Sequence, residues 1–428
     1  MGLTELSKAA KRGDLQKVKS LVEGGEDIHV SDDTPLRVAA AHGHTEVVRL
    51  LLEKGANVNA FKDEPLRSAA VNGHLEVVRL LIEKGADLNC FEDDPLRLAA
   101  CRGHIEVVSF LLEKGANIHA GGDEALTWAA EKGNVELARL LLSRGADPRA
   151  KMHRALFEAG TRNHLEIVKL IAEYGVDVNV HDSMLLRLVA ERGHQEMVYY
   201  LLQHQANVHT LGDYAILSAA TKGHLEIVRL LLDFSDSRHP NLQSREKDLL
   251  SIAADAGHFP IVELLLQRGA ASRVNLREAL RAAAQKGRSP IVELLLEKGT
   301  FPRSEINHAL CLAAEGGYLE DVILLLKKGA DVHTKNDFPL LKAVESRDIE
   351  MIETLLSHGA EIKKRFSTPL AVLFLTSGEI QRGGANYREK TLLLSRYRRK
   401  IFSTFLLHAL HLYYRPPGPG FYRAAFLS

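Results

Sequence analysis

Within Thr45–Glu53 the charges and the apolar side chains fall in helical register. Glu46, Arg49 and Glu53 stand at i, i+3 and i+7 and share one face, while Val47, Val48, Leu50, Leu51 and Leu52 fill the rest. That apolar arc is wider than a surface helix needs, so it predicts a short helix packed on both sides. Ahead of it, Leu36, Ala39 and Ala40 form a narrower stripe of mostly small residues, and Thr34-Pro35 supplies a cap and a first-turn proline. Gly43 and Gly55 stand where the two helices should end, because a helix exit favours the left-handed conformation that glycine tolerates.

This helix pair repeats. The string from Gly43 to Asn57 returns thirty residues later, from Gly73 to Asp87, with few changes. The first marker recurs at Gly13, Gly43, Gly73, Gly103 and Gly133, passes to Asn163, and resumes at Gly193 and Gly223. After one longer step it continues at Gly257, Gly287 and Gly317. About twelve units account for residues 1–365, with an irregular junction near 233–248 where Pro240 enters, a candidate hinge. Residues 366–428 hold the start of a thirteenth unit, Thr368-Pro369-Leu370, and then lose the pattern. Self-similarity at such a period marks a solenoid, which grows without one large core.

The residues of the unit resemble the ankyrin repeat. Thr34-Pro35-Leu36 matches its opening, Ala39 to His44 its core and Gly85 to Asn89 its end, and the likeness covers most of the chain. The resemblance implies an all-α repeat solenoid of helix-turn-helix units with short loops or abbreviated β-hairpins, which binds proteins through a concave groove. The ankyrin unit is about 33 residues long, and the missing residues fall in the connecting finger, at Phe61-Lys62-Asp63 and its equivalents. Short units of this kind are similar to those of amoeba-infecting giant DNA viruses and some protists. The family histidine of the opening motif is replaced by Arg37, Arg67, Arg97, Arg187 and Arg281.

An aspartate precedes the first helix at Asp33, Asp63, Asp93, Asp123, Asp213 and Asp337. Its regular spacing, with the arginine row behind it, suits a ladder of caps and charge-assisted hydrogen bonds better than a recognition stripe. A histidine row opens the second helices at His44, His74, His104, His164, His194, His224 and His258. One ligand per repeat cannot complete a metal sphere, and the resemblance implies that these rings hold loop backbone. No metal or other cofactor is expected.

Composition narrows the function classes. Lys plus Arg equals Asp plus Glu, 55 against 55, so no global field marks a nucleic-acid or membrane binder. Three cysteines, Cys90, Cys101 and Cys311, are too few for a disulfide framework and fit a reducing compartment. No phosphate loop, nucleophile elbow or kinase signature is present, and the chain reads as a non-enzyme. The first residues, Met1 to Ser7, hold no apolar run suited to secretion. The cytoplasm is the expected location, that of an infected eukaryotic host cell on the viral resemblance.

The expected binding face follows the ends of the first helices, where Arg102, Lys132, Arg162, Arg192 and Lys222 supply cations and Trp128 and Tyr214 aromatic surface. The expected occupant is a protein, and the scaffold is expected to be a monomer. Residues 366–428 carry nine Lys or Arg against two Asp or Glu, leaving the array with 46 against 53. That basic tail keeps open an alternative, a targeting adaptor whose end engages a membrane surface or a second protein.

Overall fold

The computed structural model describes residues 3–236, 246–269 and 272–361. The described residues form 24 α-helices and no strand, grouped in two compact units, Met1–Ser218 and Ala219–Ser428. The segment 237–245 of the irregular junction and the tail beyond 361 lie outside the described residues. No helix among the described residues is long and apolar enough to cross a membrane.

Helices pair as the sequence pattern predicts. In the first unit α3 (Val30–Ala41) packs on α4 (Thr45–Glu53), α5 (Ala60–Val71) on α6 (Leu75–Glu83), and α7 (Cys90–Arg102) on α8 (Ile105–Glu113). The series continues through α9 (Glu124–Lys132), α10 (Val135–Ser143), α11 (Ala150–Thr161), α12 (Leu165–Glu173), α13 (Val180–Arg192) and α14 (Gln195–Gln203). Successive first helices pack on one another more extensively than successive second helices do. The paired alanines explain this: Ala39, Ala40, Ala69 and Ala70 are fully buried and bring neighbouring backbones close. Of the predicted arc in α4, Val47, Val48 and Leu51 are buried while Leu50 and Leu52 are half-buried, and in α6 Val78 and Leu81 are likewise fully covered.

The second unit repeats the plan from α16 (Leu225–Asp236) to α24 (Ile349–Ser357). Ser235 stands where most second helices meet a glycine, and α16 runs on to Asp236, whereas α14 ends on schedule with Gln205 taking the left-handed conformation.

In place of a finger there is a single left-handed turn. Ser31, Asp32 and Asp33 have φ of 50°, 58° and 52°, and Phe61, Lys62 and Asp63 repeat the geometry at 43°, 59° and 58°. The same three-residue turn recurs at 151–153, 181–183, 211–213 and 335–337. Of the two connections expected, short loop or abbreviated hairpin, the loop is found wherever this turn is described. Left-handed backbone costs non-glycine residues roughly 1–2 kcal/mol each, so each turn needs compensating bonds.

An aspartate at the last residue provides them at most of these turns, whereas His153 holds that position at 151–153. Asp33 accepts a hydrogen bond from His29 Nδ1 at 3.0 Å and another from the Asn57 backbone N–H at 3.2 Å. Asp123 does the same with His119 at 3.0 Å and the Asp147 N–H at 2.8 Å. Ser183 and Asn307 replace the carboxylate and accept the equivalent N–H from Asn207 and Asp331. The acceptor therefore ties the turn that opens a helix pair to the loop that closes it.

Candidate protein-binding face

The first helices expose one stripe. In α3 the half-buried positions are Thr34, Arg37, Val38 and Ala41, at i, i+3, i+4 and i+7, while Pro35, Leu36, Ala39 and Ala40 are buried. The first helices that follow in the first unit keep this register, except that Thr127 is buried in α9, so their stripes form a single face.

Along the first half of that face the charges satisfy one another. Arg37 pairs with Glu64, Arg67 Nε donates to Asp94 at 3.0 Å, and Arg97 Nε donates to Glu124 at 2.6 Å. Each bond spans 27 residues and joins one helix pair to the next. In the second unit Arg281 meets Glu305 at 3.0 Å in the same manner, over 24 residues. The arginine row thus serves the stack, as its spacing suggests. The turn tips border it: the Arg37 guanidinium lies 4.3 Å from the centre of the Phe61 ring.

Beyond Glu124 the ladder stops. Thr127 stands in the arginine row, Arg154 occupies the acid's position and pairs with Glu158 at 3.6 Å, and Phe157 follows on the stripe. Phe157 lies 5.9 Å from the ring of His181, a turn-tip residue, which in turn meets His153 edge-on at 5.6 Å. Next come Met184, 37% exposed, the half-buried Arg187, and Tyr214, 44% exposed. Arg187 has no carboxylate within ion-pair distance among the described residues, because Tyr214 occupies the position where the ladder would place its acid.

The site residues read from the sequence divide across this geometry. Trp128 is half-buried on the stripe of α9, and Tyr214 lies on the stripe of α15 (Thr210–Lys222) with its hydroxyl 3.5 Å from Glu191. Arg102, Lys132, Arg162 and Arg192 are exposed one residue past the stripe, at the helix ends. Arg162 is spoken for: it pairs with Glu131 at 3.1 Å and with Glu158. Arg192 donates to the Leu188 carbonyl at 3.3 Å. Lys222, also exposed, belongs to the second unit and is not part of the face described for the first. The sequence reading did not single out Phe157 or Met184, nor Arg187 as a site residue. The signal was present, as the loss of an acid one ladder step after an arginine.

The histidine row is structural. His74 Nε2 donates to the Ala41 carbonyl at 3.1 Å, His104 to Val71 at 3.1 Å, and His194 to Thr161 at 3.0 Å. Each ring reaches back to the end of the preceding first helix, where carbonyls lack helical partners. Gly43 lies under the His74 ring with φ 77°, and a Cβ there would fall 2.6 Å from Nδ1. The position needs glycine twice over. Two cysteines are inert by burial, which pushes the Cys90 thiol up to about 12 and raises that of Cys311.

A family model described as ankyrin repeats (3 copies) matches residues 6–92, 88–152, 156–244, 235–307 and 303–366. Among solved structures, the crystal structure of the human ASB11 ankyrin repeat domain is similar at 25% identity. The match covers 46% of this chain and 97% of that one, with a TM-score of 0.43. Among curated proteins there is no match.

Proposed function

From the premise that the chain belongs to the ankyrin repeat family, matched along most of its length, we propose that it is a protein-interaction scaffold. The first-helix face of the first unit is its binding surface. The supporting observation is the change along that face: charges that neutralise one another up to Glu124, then Trp128, Phe157, Met184 and Tyr214, which no such ladder uses. Exposed aromatic surface beside an arginine is the composition of interface hot spots. The exposed cations Arg102, Lys132 and Arg192 form a rim, which tunes association rate more than affinity. The scaffold acts without catalysis of its own. A cytoplasmic location belongs to the same proposal and is supported by the free cysteines, two of them buried.

The test is a partner screen with the full chain and two variants. Trp128→Ala with Tyr214→Ala alters the stripe, and Arg49→Glu with Arg139→Glu alters the outer face of the second helices. Partners should be lost with the first pair and kept with the second. The opposite pattern would place binding on the second helices and remove the proposal.

A further inference from the structure

We infer that the stripe from Phe157 to Tyr214 receives a partner-protein segment in which an acidic residue lies between apolar ones. This rests on reading the first-helix face as the binding surface and names the chemistry of its occupant. The chain supplies its own reference state. Arg37, Arg67 and Arg97 each hold a carboxylate 27 residues on, and Arg281 one 24 residues on. Arg187 sits in the same row, half-buried, and Tyr214 holds the position 27 residues on where the ladder places an acid. A partly desolvated guanidinium left without its carboxylate favours one brought from outside.

The surroundings define what flanks that carboxylate. Met184 and Tyr214 are exposed on the stripe, Leu211 is 74% exposed at a turn tip, and the Phe157 ring lies 5.9 Å from that of His181. Burying such side chains requires apolar groups from the partner. A polyphosphate backbone fits poorly, because Glu158 on α11, Asp182 at the turn and Glu191 on α13 add carboxylates to the same region. A protein segment with one carboxylate among apolar residues satisfies both features.

The experiment pans a random-peptide phage library against the full chain and measures the selected peptides by fluorescence anisotropy. Selected peptides should share an acidic residue flanked by apolar ones. Arg187→Glu should weaken them about tenfold or more and, when panned afresh, should select Lys or Arg at the same place. Tyr214→Glu restores the internal carboxylate, so it should raise the thermal midpoint while lowering peptide affinity, a combination that misfolding cannot produce. Peptides that lose binding with Phe157→Ala and Met184→Ala, yet ignore the charge at 187, would keep the face and overturn this inference. Peptides indifferent to every change on the stripe would overturn both. A library that yields no peptide, or an oligonucleotide probe whose binding Arg187→Glu abolishes, would also overturn it.

Discussion

At residue scale, two positions carry sharp consequences. Gly43 combines a left-handed backbone with the His74 ring lying against it. Gly43→Ala should cost about 2 kcal/mol from backbone conformation and ring displacement together, read as a shift in the urea midpoint. A neutral result would mean that the ring is not anchored to the Ala41 carbonyl. Asp321 lies where most other second helices bury an apolar side chain, as at Val47, Leu137, Met197 and Ile291. It is fully buried, and its carboxyl oxygens find no partner of full hydrogen-bond geometry, the Ser289 side chain being close enough only to ease the charge. Burial raises its pKa above the ordinary 3.8, and the nearby Ser289 side chain offsets this only in part. Asp321→Val should therefore stabilise the chain by about 1–3 kcal/mol near neutral pH. The sign with pH follows from linkage. The folded state holds the proton more tightly, so Asp321 stabilises most below the unfolded pKa, and that contribution is lost as pH rises through the folded one. The advantage of Asp321→Val should shrink as pH falls toward the ordinary carboxylate range, measured as the difference between thermal midpoints.

At the scale of the element, the arginine ladder joins first helices that the alanines already hold close. Its pairs are partly solvated, with side-chain exposures of 27% and 21% for Arg97 and Glu124. A double-mutant cycle on Arg97→Ala and Glu124→Ala should give a coupling of about 0.5–1 kcal/mol. A coupling near zero would reduce the ladder to a surface feature and weaken the meaning of its break at Arg187. Helix pairing was legible because each signal is local: the apolar arc at Val47 to Leu52, the proline at Pro35, the glycine at Gly43. The connection was not. Asp33 reads as a cap, but its carboxylate is spent on the Asn57 N–H, 24 residues away, and on a turn whose sequence varies from Ser31-Asp32 to Lys151-Met152. Nothing in those side chains announces a left-handed backbone. The candidate face was half legible: Trp128 and Tyr214 stand out by type, whereas Arg187 differs from Arg97 only by what lies one ladder step further along.

For the whole molecule, stability should be distributed among neighbours. Leu81 is fully buried in α6, and Leu81→Ala should cost roughly 2–5 kcal/mol. Hydrogen exchange should quicken most in the flanking helix pairs of the first unit and fade with distance. A uniform loss across that unit would contradict nearest-neighbour behaviour. The bonds between the helix pairs add a consequence of a different kind. Asp33 reaches 24 residues ahead, Arg67 reaches 27, and His74 reaches back 33, so each closes within its own pair or on an adjacent one. Cutting out one whole repeat, with the coding sequence behind it, would leave these partners at the same offsets from residues of the same kind. A cut that is not a whole number of repeats would shift these partners out of register at the scar. Unequal recombination between such blocks is therefore the kind of length change this chain can survive. Its repeat number can drift from copy to copy while its fold does not.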